Sequence, residues 1–348
     1  MRAIRRPVIA LTAVAACLVG VAGCGSSASK ASAGGTSSGQ SITVYSGQHE
    51  QTVKALVADF EKRTGVKVEL RSGDEAELAN QLLQEGSASP ADVFYAENPP
   101  ALTMLDEKGL LAPVAPDALK AVPAADSSPK GDWLGVSARA AAFIAATGSA
   151  ADTAPPTSLR DLAKPEWKGR LGIAPSETDF APVITRMIAA DGVEATKAWL
   201  VGLKANAKTY DSNEDLSAAV NAGEVQGGVI DHYYWFRLRD EKGAADTHSK
   251  LHYFAKGDPG ALVDVSGAAV LKNGKHQQAA QAFLAYLVSA PAQQLIATSE
   301  SYEYPLVAGI AAKDGLAPLD SIGTVADVAQ LGDGKQALQL LQDTGLLQ

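Results

Sequence analysis

SITVYSGQHEQTVKALVADFEKRTGVKVELRSGDEAELANQLLQEGSASPADVFYAEN, residues 41–98, alternates short apolar runs with longer amphipathic ones. Ile42 to Tyr45 reads as a strand. From Thr52 to Thr64, Val53, Leu56, Val57 and Phe60 recur at helical spacing, and Gly65 supplies the stop. Val66, Val68 and Leu70 alternate as a second strand. Glu77 to Glu85 follows as a second helix ended by Gly86, and Ala91 to Tyr95 as a third strand. This β-α-β-α-β order predicts an α/β fold on a mostly parallel, doubly wound sheet, because right-handed helical crossovers return each strand in the same direction.

The alternation breaks at a Pro/Ala-rich segment, residues 113–129, expected on the surface, and then resumes. Trp199 to Leu203 closes a helix, Asn213 to Asn221 makes another with Gly223 as its stop, and Gln226 to Ile230 reads as a buried strand. A further helix starts near Asp231, and late helices are expected at Gln277 to Val288 and Lys335 to Leu341. No internal repeat is present. Two α/β lobes are expected to face each other, with a ligand beyond the carboxyl ends of the strands.

The N-terminus carries a different message. Arg2, Arg5 and Arg6 precede the apolar run Val8 to Val21, and small residues lead to Cys24, the pattern of a secretory signal (residues 1–23) with a lipoprotein cleavage box. Cys24 is the expected lipidation site and first mature residue. Residues 25–40, GSSASKASAGGTSSGQ, read as a flexible tether within the segment 24–40. The tether contains a G-x-S-x-G match without the strand and helix that motif requires, so no hydrolase elbow is inferred. The remaining cysteine, Cys17, lies in the leader, so neither a disulfide nor a cysteine metal site is expected in the mature chain. Without the three leader arginines, 27 basic side chains stand against 39 acidic ones, a formal charge of −12, which argues against a nucleic-acid partner.

Polar side chains fall at three strand ends: His49 in VYSGQHE, Glu97 in VFYAEN, and Tyr233 and Tyr234 in VIDHYYW. Each alone is a weak signal, since Tyr and Trp are mostly buried for their area. Together they form an oxygen-rich set with one nitrogen, suited to a hard trivalent cation. A phenol loses its proton only near pH ~10 in water, so a strongly polarising ion such as Fe(III) is needed to make the pair bind. His232, beside the pair, is read as a solvent-facing helix residue. An iron oxygenase would need two histidines and a carboxylate, and a Ser/His/Asp hydrolase has no context here, so no enzyme is expected.

The sequence resembles the bacterial periplasmic ferric-ion-binding proteins, the bacterial transferrins of iron(III) ABC transporters. The resemblance rests on ITVYSGQHE, SPADVFYAENPPAL, DLAKPEWKGRLG, YYW, DPGALVDVSGAAVLK and EYPL. It implies a type II periplasmic-binding-protein fold, two doubly wound lobes joined by hinge strands near residues 137–142 and 264–267. The implied lobes are 41–138 with 264–314, and 139–263 with 315–348. His49, Glu97, Tyr233 and Tyr234 are the implied metal ligands.

Some members add a synergistic anion. The positions matching a phosphate-binding branch are Glu177, Thr178 and Asp179, Asn213, and Asp231, and only Asn213 keeps the type. Three acids would repel phosphate at short range, so phosphate is not expected. Arg139 matches an arginine that holds carbonate in related members, which keeps carbonate open. On the helix-end alternative, Asp231 caps its helix and Glu177 and Asp179 complement a neighbouring dipole.

The implied partners are an ABC permease and its ATPase, with the protein a monomer on the cell membrane, a Gram-positive surface being favoured over a periplasm. Another cargo on the same fold, such as thiamine, a polyamine or an organic anion, and an iron-sensing lipoprotein are the rival functions.

Overall fold

The computed structural model describes residues 40–325 and 330–347. The leader, Cys24 and the tether up to residue 39 lie outside the described residues. β1 (Ser41–Ser46), β2 (Lys67–Ser72) and β3 (Val93–Ala96) pair in parallel with β1 central, joined by α1 (Glu50–Thr64) and α2 (Glu75–Glu85). α2 begins two residues before the expected Glu77, because Asp74 caps it by accepting the Glu77 N–H at 2.9 Å. β2 is an edge strand with no fully buried residue, whereas β3 is buried throughout. α3 (Pro99–Glu107) follows, and the Pro/Ala-rich segment after it is more enclosed than expected, with Val114, Ala118 and Val122 buried.

Next come β4 (Leu134–Ala146), β5 (Leu171–Ile173), α4 (Phe180–Asp191), α5 (Val193–Asn206), β6 (Ala207–Thr209), α6 (Asn213–Asn221), β7 (Gly227–Asp231) and α7 (His232–Lys242). β8 (Ser249–His252), β9 (Leu262–Leu271), α8 (Gln277–Leu287), α9 (Ala290–Thr298) and α10 (Lys335–Asp343) complete the scaffold. The main strand order is β2-β1-β3-β9-β4-β7-β5-β6.

The outer strands are parallel as the sequence predicts, but the centre is not: β9 runs antiparallel to both β3 and β4, and β4 runs antiparallel to β7. The reason is connectivity. β4 carries the chain from one half of the sheet to the other and β9 brings it back, so the two must point in opposite directions. Both strands are buried over their whole length, because both faces of the sheet are covered.

β4 changes partner in mid-strand. Leu134 to Ala140 lie against β9, and Ala141 to Ala145 lie against β7. The apolar packing divides at the same place. One core draws on residues from Ile42 to Ala140 and from Val263 to Ile322; side chains from Ala141 to Leu262 and from Leu331 to Leu346, with Tyr302, pack into two further clusters. Each fully buried Leu, Val or Phe contributes roughly 1.5–3 kcal/mol relative to exposure, and the described residues contain no cysteine to add a disulfide. Among the described residues no helix is long and apolar enough to cross a membrane.

Candidate metal centre

The loops after β1 and β3 and the first turn of α7 meet where β4 changes partner. Tyr233 and Tyr234 open α7, buried with their rings 4.3 Å apart. The Tyr233 hydroxyl lies 3.0 Å from Glu97 Oε1 and 2.9 Å from Asp179 Oδ2, and the Tyr234 hydroxyl donates to the same Asp179 oxygen at 3.0 Å. His49 stands edge-on to the Tyr233 ring at 4.8 Å, its Nε2 3.6 Å from Glu97 Oε1. All four expected ligands therefore converge, and Asp179, read at first as a helix-dipole or anion-site residue, joins them.

The cluster has more acceptors than hydrogens. Two phenolic hydrogens serve Glu97 Oε1 and Asp179 Oδ2, while buried Asp179 Oδ1 and His49 Nε2 have no hydrogen-bond partner. Orphaned buried polar atoms cost about 1–3 kcal/mol each, and a cation would satisfy them together. Burial, then the Asp179 and Glu97 charges, pushes the Tyr233 and Tyr234 phenols well above their ordinary range. Burial, then Asp179, also raises the Glu97 carboxyl well above the carboxylate range. His49 is driven the other way, by burial and then by Arg237 and Arg139, so its ring stays neutral with a free nitrogen. Among the described residues no three His, Cys, Asp or Glu side chains alone are arranged to hold a metal ion.

Behind this cluster lies Arg139, fully buried on β4. Its guanidinium lies 3.2 Å from Asp231, 3.8 Å from Asp179 and 3.7 Å from both Asp264 and Glu303, and it donates to Asn98. Burial opposes its charge, but Asp264, Glu97, Asp179 and Asp231 hold it protonated.

Asp231 occupies the cap position of α7 but makes no capping hydrogen bond; its carboxylate is committed to Arg139, which corrects the cap expectation. Glu177 does serve a helix end, accepting the Asn213 N–H of α6 at 3.2 Å. Asn213 shares a cavity of about 10 Å³ with Asp179 and Asp231, the scale of one water. Thr178 lines a separate groove of about 450 Å³ with Pro100, Met104 and Leu338.

His232 corrects the sequence reading outright. It is fully buried, not solvent-facing. Its Nδ1 accepts the Ala140 N–H of β4 at 3.2 Å, so Nε2 carries the hydrogen and donates to the Tyr302 carbonyl at 2.8 Å. Tyr302 is held at φ 55°, the sole non-glycine in the left-handed region among the described residues.

Burial lowers the His232 pKa to about 4. The unfolded chain takes up this proton near pH 6.5 and the folded one only near 4. The stability that His232 contributes is therefore full above about 6.5 and is lost progressively as pH falls through the folded value. Chemical denaturation of the iron-free protein at pH 7 and at pH 4 should register a loss of roughly 3 kcal/mol from this group, reduced in His232→Gln.

The residues that sequence reasoning missed as part of this assembly are Glu75, Asn98, Asp264 and Glu303. All four sit inside stretches already quoted, Glu75 and Asn98 in residues 41–98, Asp264 in DVSG and Glu303 in EYPL, so the residues were in view. What could not be seen was that a single arginine gathers them.

Residues 42–299 match the family model described as bacterial extracellular solute-binding protein. The chain belongs to this family. Among relatives of this solute-binding protein, the Fe(3+)-binding periplasmic protein of Serratia marcescens is 42% identical over 312 residues, covering 89% of this chain and 92% of that one. The major ferric iron-binding protein of Neisseria meningitidis serogroup B is 35% identical over 311 residues, 88% of this chain and 93% of that one. The crystal structure of iron-bound HitA from Pseudomonas aeruginosa superposes with a TM-score of 0.84 at 39% identity, covering 88% of this chain and 99% of that one. The resemblance to ferric-ion-binding proteins and the type II binding-protein fold are thereby borne out, and the family is one of solute carriers and not of enzymes.

Proposed function

We propose that this protein captures ferric iron outside the cytoplasm, anchored by lipid on Cys24, and delivers it as a monomer to an ABC permease and its ATPase. The observation that carries the iron reading is the meeting of two phenols, two carboxylates and a neutral imidazole in one buried cluster short of positive charge. The phenolic hydrogens mark the place of the cargo: when Fe(III) displaces them, the oxygens they bridged, Tyr233, Tyr234, Glu97 and Asp179, become its donors, with His49 Nε2 alongside. The relatives' printed names and the iron-bound neighbour support the same cargo.

The proposed lobes, 41–138 with 264–314 and 139–263 with 315–348, close on the ion by bending β4 and β9, and metal bridging both sides favours the closed form. Carbonate has no need to complete the site. Arg139 is already surrounded by Asp179, Asp231, Asp264 and Glu303, and Asp179 stands where a separate anion would compete with it.

Addition of ferric citrate to the purified mature protein is expected to give a visible tyrosinate-to-iron absorption in buffer free of carbonate and phosphate. A colourless protein that takes up thiamine or a polyamine would sink the iron reading. Asp179→Asn should weaken ferric binding at least ~10-fold and make it respond to added carbonate; unchanged affinity and no carbonate response would leave Asp179 without a role. Cys24→Ala should move the protein from the membrane fraction to the medium or periplasm.

A further inference from the structure

Glu75 opens α2 and is buried, yet it is not one of the groups around the phenols. Its Oε2 accepts the backbone N–H groups of Glu97 at 2.8 Å and Asn98 at 2.9 Å, and its Oε1 accepts the Asn98 side-chain amide at 2.6 Å. The oxygen of that amide is in turn held by the Arg139 guanidinium. The loop carrying His49 rests on the same residue: a Cβ added at Gly47 would lie 2.3 Å from the Cβ of Glu75 and 2.7 Å from its Cα. One side chain on one helix turn thus fixes the backbone from which Glu97 projects and underlies the loop from which His49 projects.

A buried carboxylate is costly to maintain unless fully hydrogen-bonded, and here three N–H donors surround it. Glutamine could not replace it. Its Nε2 would face the Asn98 Nδ2, donor against donor, and Asn98 cannot turn over without giving up Arg139. Packing alone would be served as well by a neutral isostere; orientation of the Glu97 loop would not.

From this geometry we propose that Glu75 is the positioning residue of the metal centre, setting the Glu97 carboxylate for the ion from behind while making no contact with the ion itself. The role rests on the ferric-binding reading above. Because Glu75→Gln keeps the Cα and Cβ against which Gly47 packs and alters only the hold on the Glu97 loop, its effect must vanish when the Glu97 carboxylate is gone.

The test is a double-mutant cycle on the mature chain, with ferric affinity measured by chelator competition. Glu75→Gln should weaken binding ~10-fold while keeping the tyrosinate-to-iron absorption, since the phenols sit on α7. In a Glu97→Ala background the same substitution should change affinity by less than ~2-fold, the mark of two coupled sites. Wild-type affinity in Glu75→Gln, or full additivity with Glu97→Ala, would overturn the proposal.

Amide hydrogen exchange in the iron-free wild-type protein decides the matter if the variant does not fold. The Glu97 and Asn98 amides should be strongly protected, and free exchange at both would refute the hydrogen bonds on which the role depends. If the wild type takes up no ferric iron, the cargo reading fails, whereas the exchange measurement still judges the hold of Glu75 on this loop.

Discussion

Tyr233→Phe is expected to lose most of the visible absorption of the iron-loaded protein and to weaken ferric binding by roughly 10²- to 4 × 10³-fold, from the 3–5 kcal/mol typical of removing one partner of a buried charged pair. The reasoning starts from charge. Two phenolates and the carboxylates of Glu97 and Asp179 would surround a triply charged ion, and removing one phenolate takes away both a donor and a neutralising charge. Tyr233 is the more severe of the pair because its hydroxyl lies within hydrogen-bond range of Glu97 and Asp179 at once, whereas that of Tyr234 reaches Asp179 alone. Tyr234→Phe should therefore keep a weakened absorption. Chelator competition and absorption spectra on both variants check the order; equal retention of colour and affinity in Tyr233→Phe would remove the phenols from the site.

Acidification is expected to release iron steeply. In the metal-free site, burial holds the phenols well above their ordinary range and, with Asp179, holds Glu97 well above the carboxylate range. The two phenols therefore carry protons at neutral pH, and the ion must displace them. Each displaced proton makes apparent affinity fall about tenfold per pH unit of acidification, so the two phenolic protons give ~10²-fold per unit. His49 adds nothing to this count, because its pKa is lowered and it is already neutral. A pH-stat titration should record the released protons directly, and competition at pH 7.5 and 6.5 should record the slope. A flat affinity across that range would mean that the donors were never protonated.

Much of the fold was legible because hydrophobic period and glycine stops are local signals. The helix at Asn213–Asn221 agrees with its expected bounds, and β1, β3, β7 and the late helices begin and end within a few residues of theirs. The antiparallel centre was not legible. Residues 134–146 and 262–271 are buried along their whole length, Ser137, Arg139, Asp264 and Ser266 included, and a strand buried on both faces carries no mark of its direction.

The four proposed donors could be named from the sequence because each follows a strand and because phenol, carboxylate and imidazole together suit one kind of ion. His232 could not be placed, since a histidine at a helix start is compatible with either solvent or interior. Its burial follows from Ala140 and Tyr302, which lie far from it in sequence.

The chain's own order of residues determined an α/β scaffold, the positions of the strand ends and a hard-cation donor set, because side-chain chemistry and local periodicity are properties of neighbours along the backbone. Only the tertiary structure decided that Asp179 joins the phenols, that Arg139 gathers Asn98, Asp231, Asp264 and Glu303, and that Glu75 lies against the loops of Glu97 and His49. Those relations depend on side chains tens to hundreds of residues apart being buried together, where low polarity makes every charge answer to its spatial neighbours.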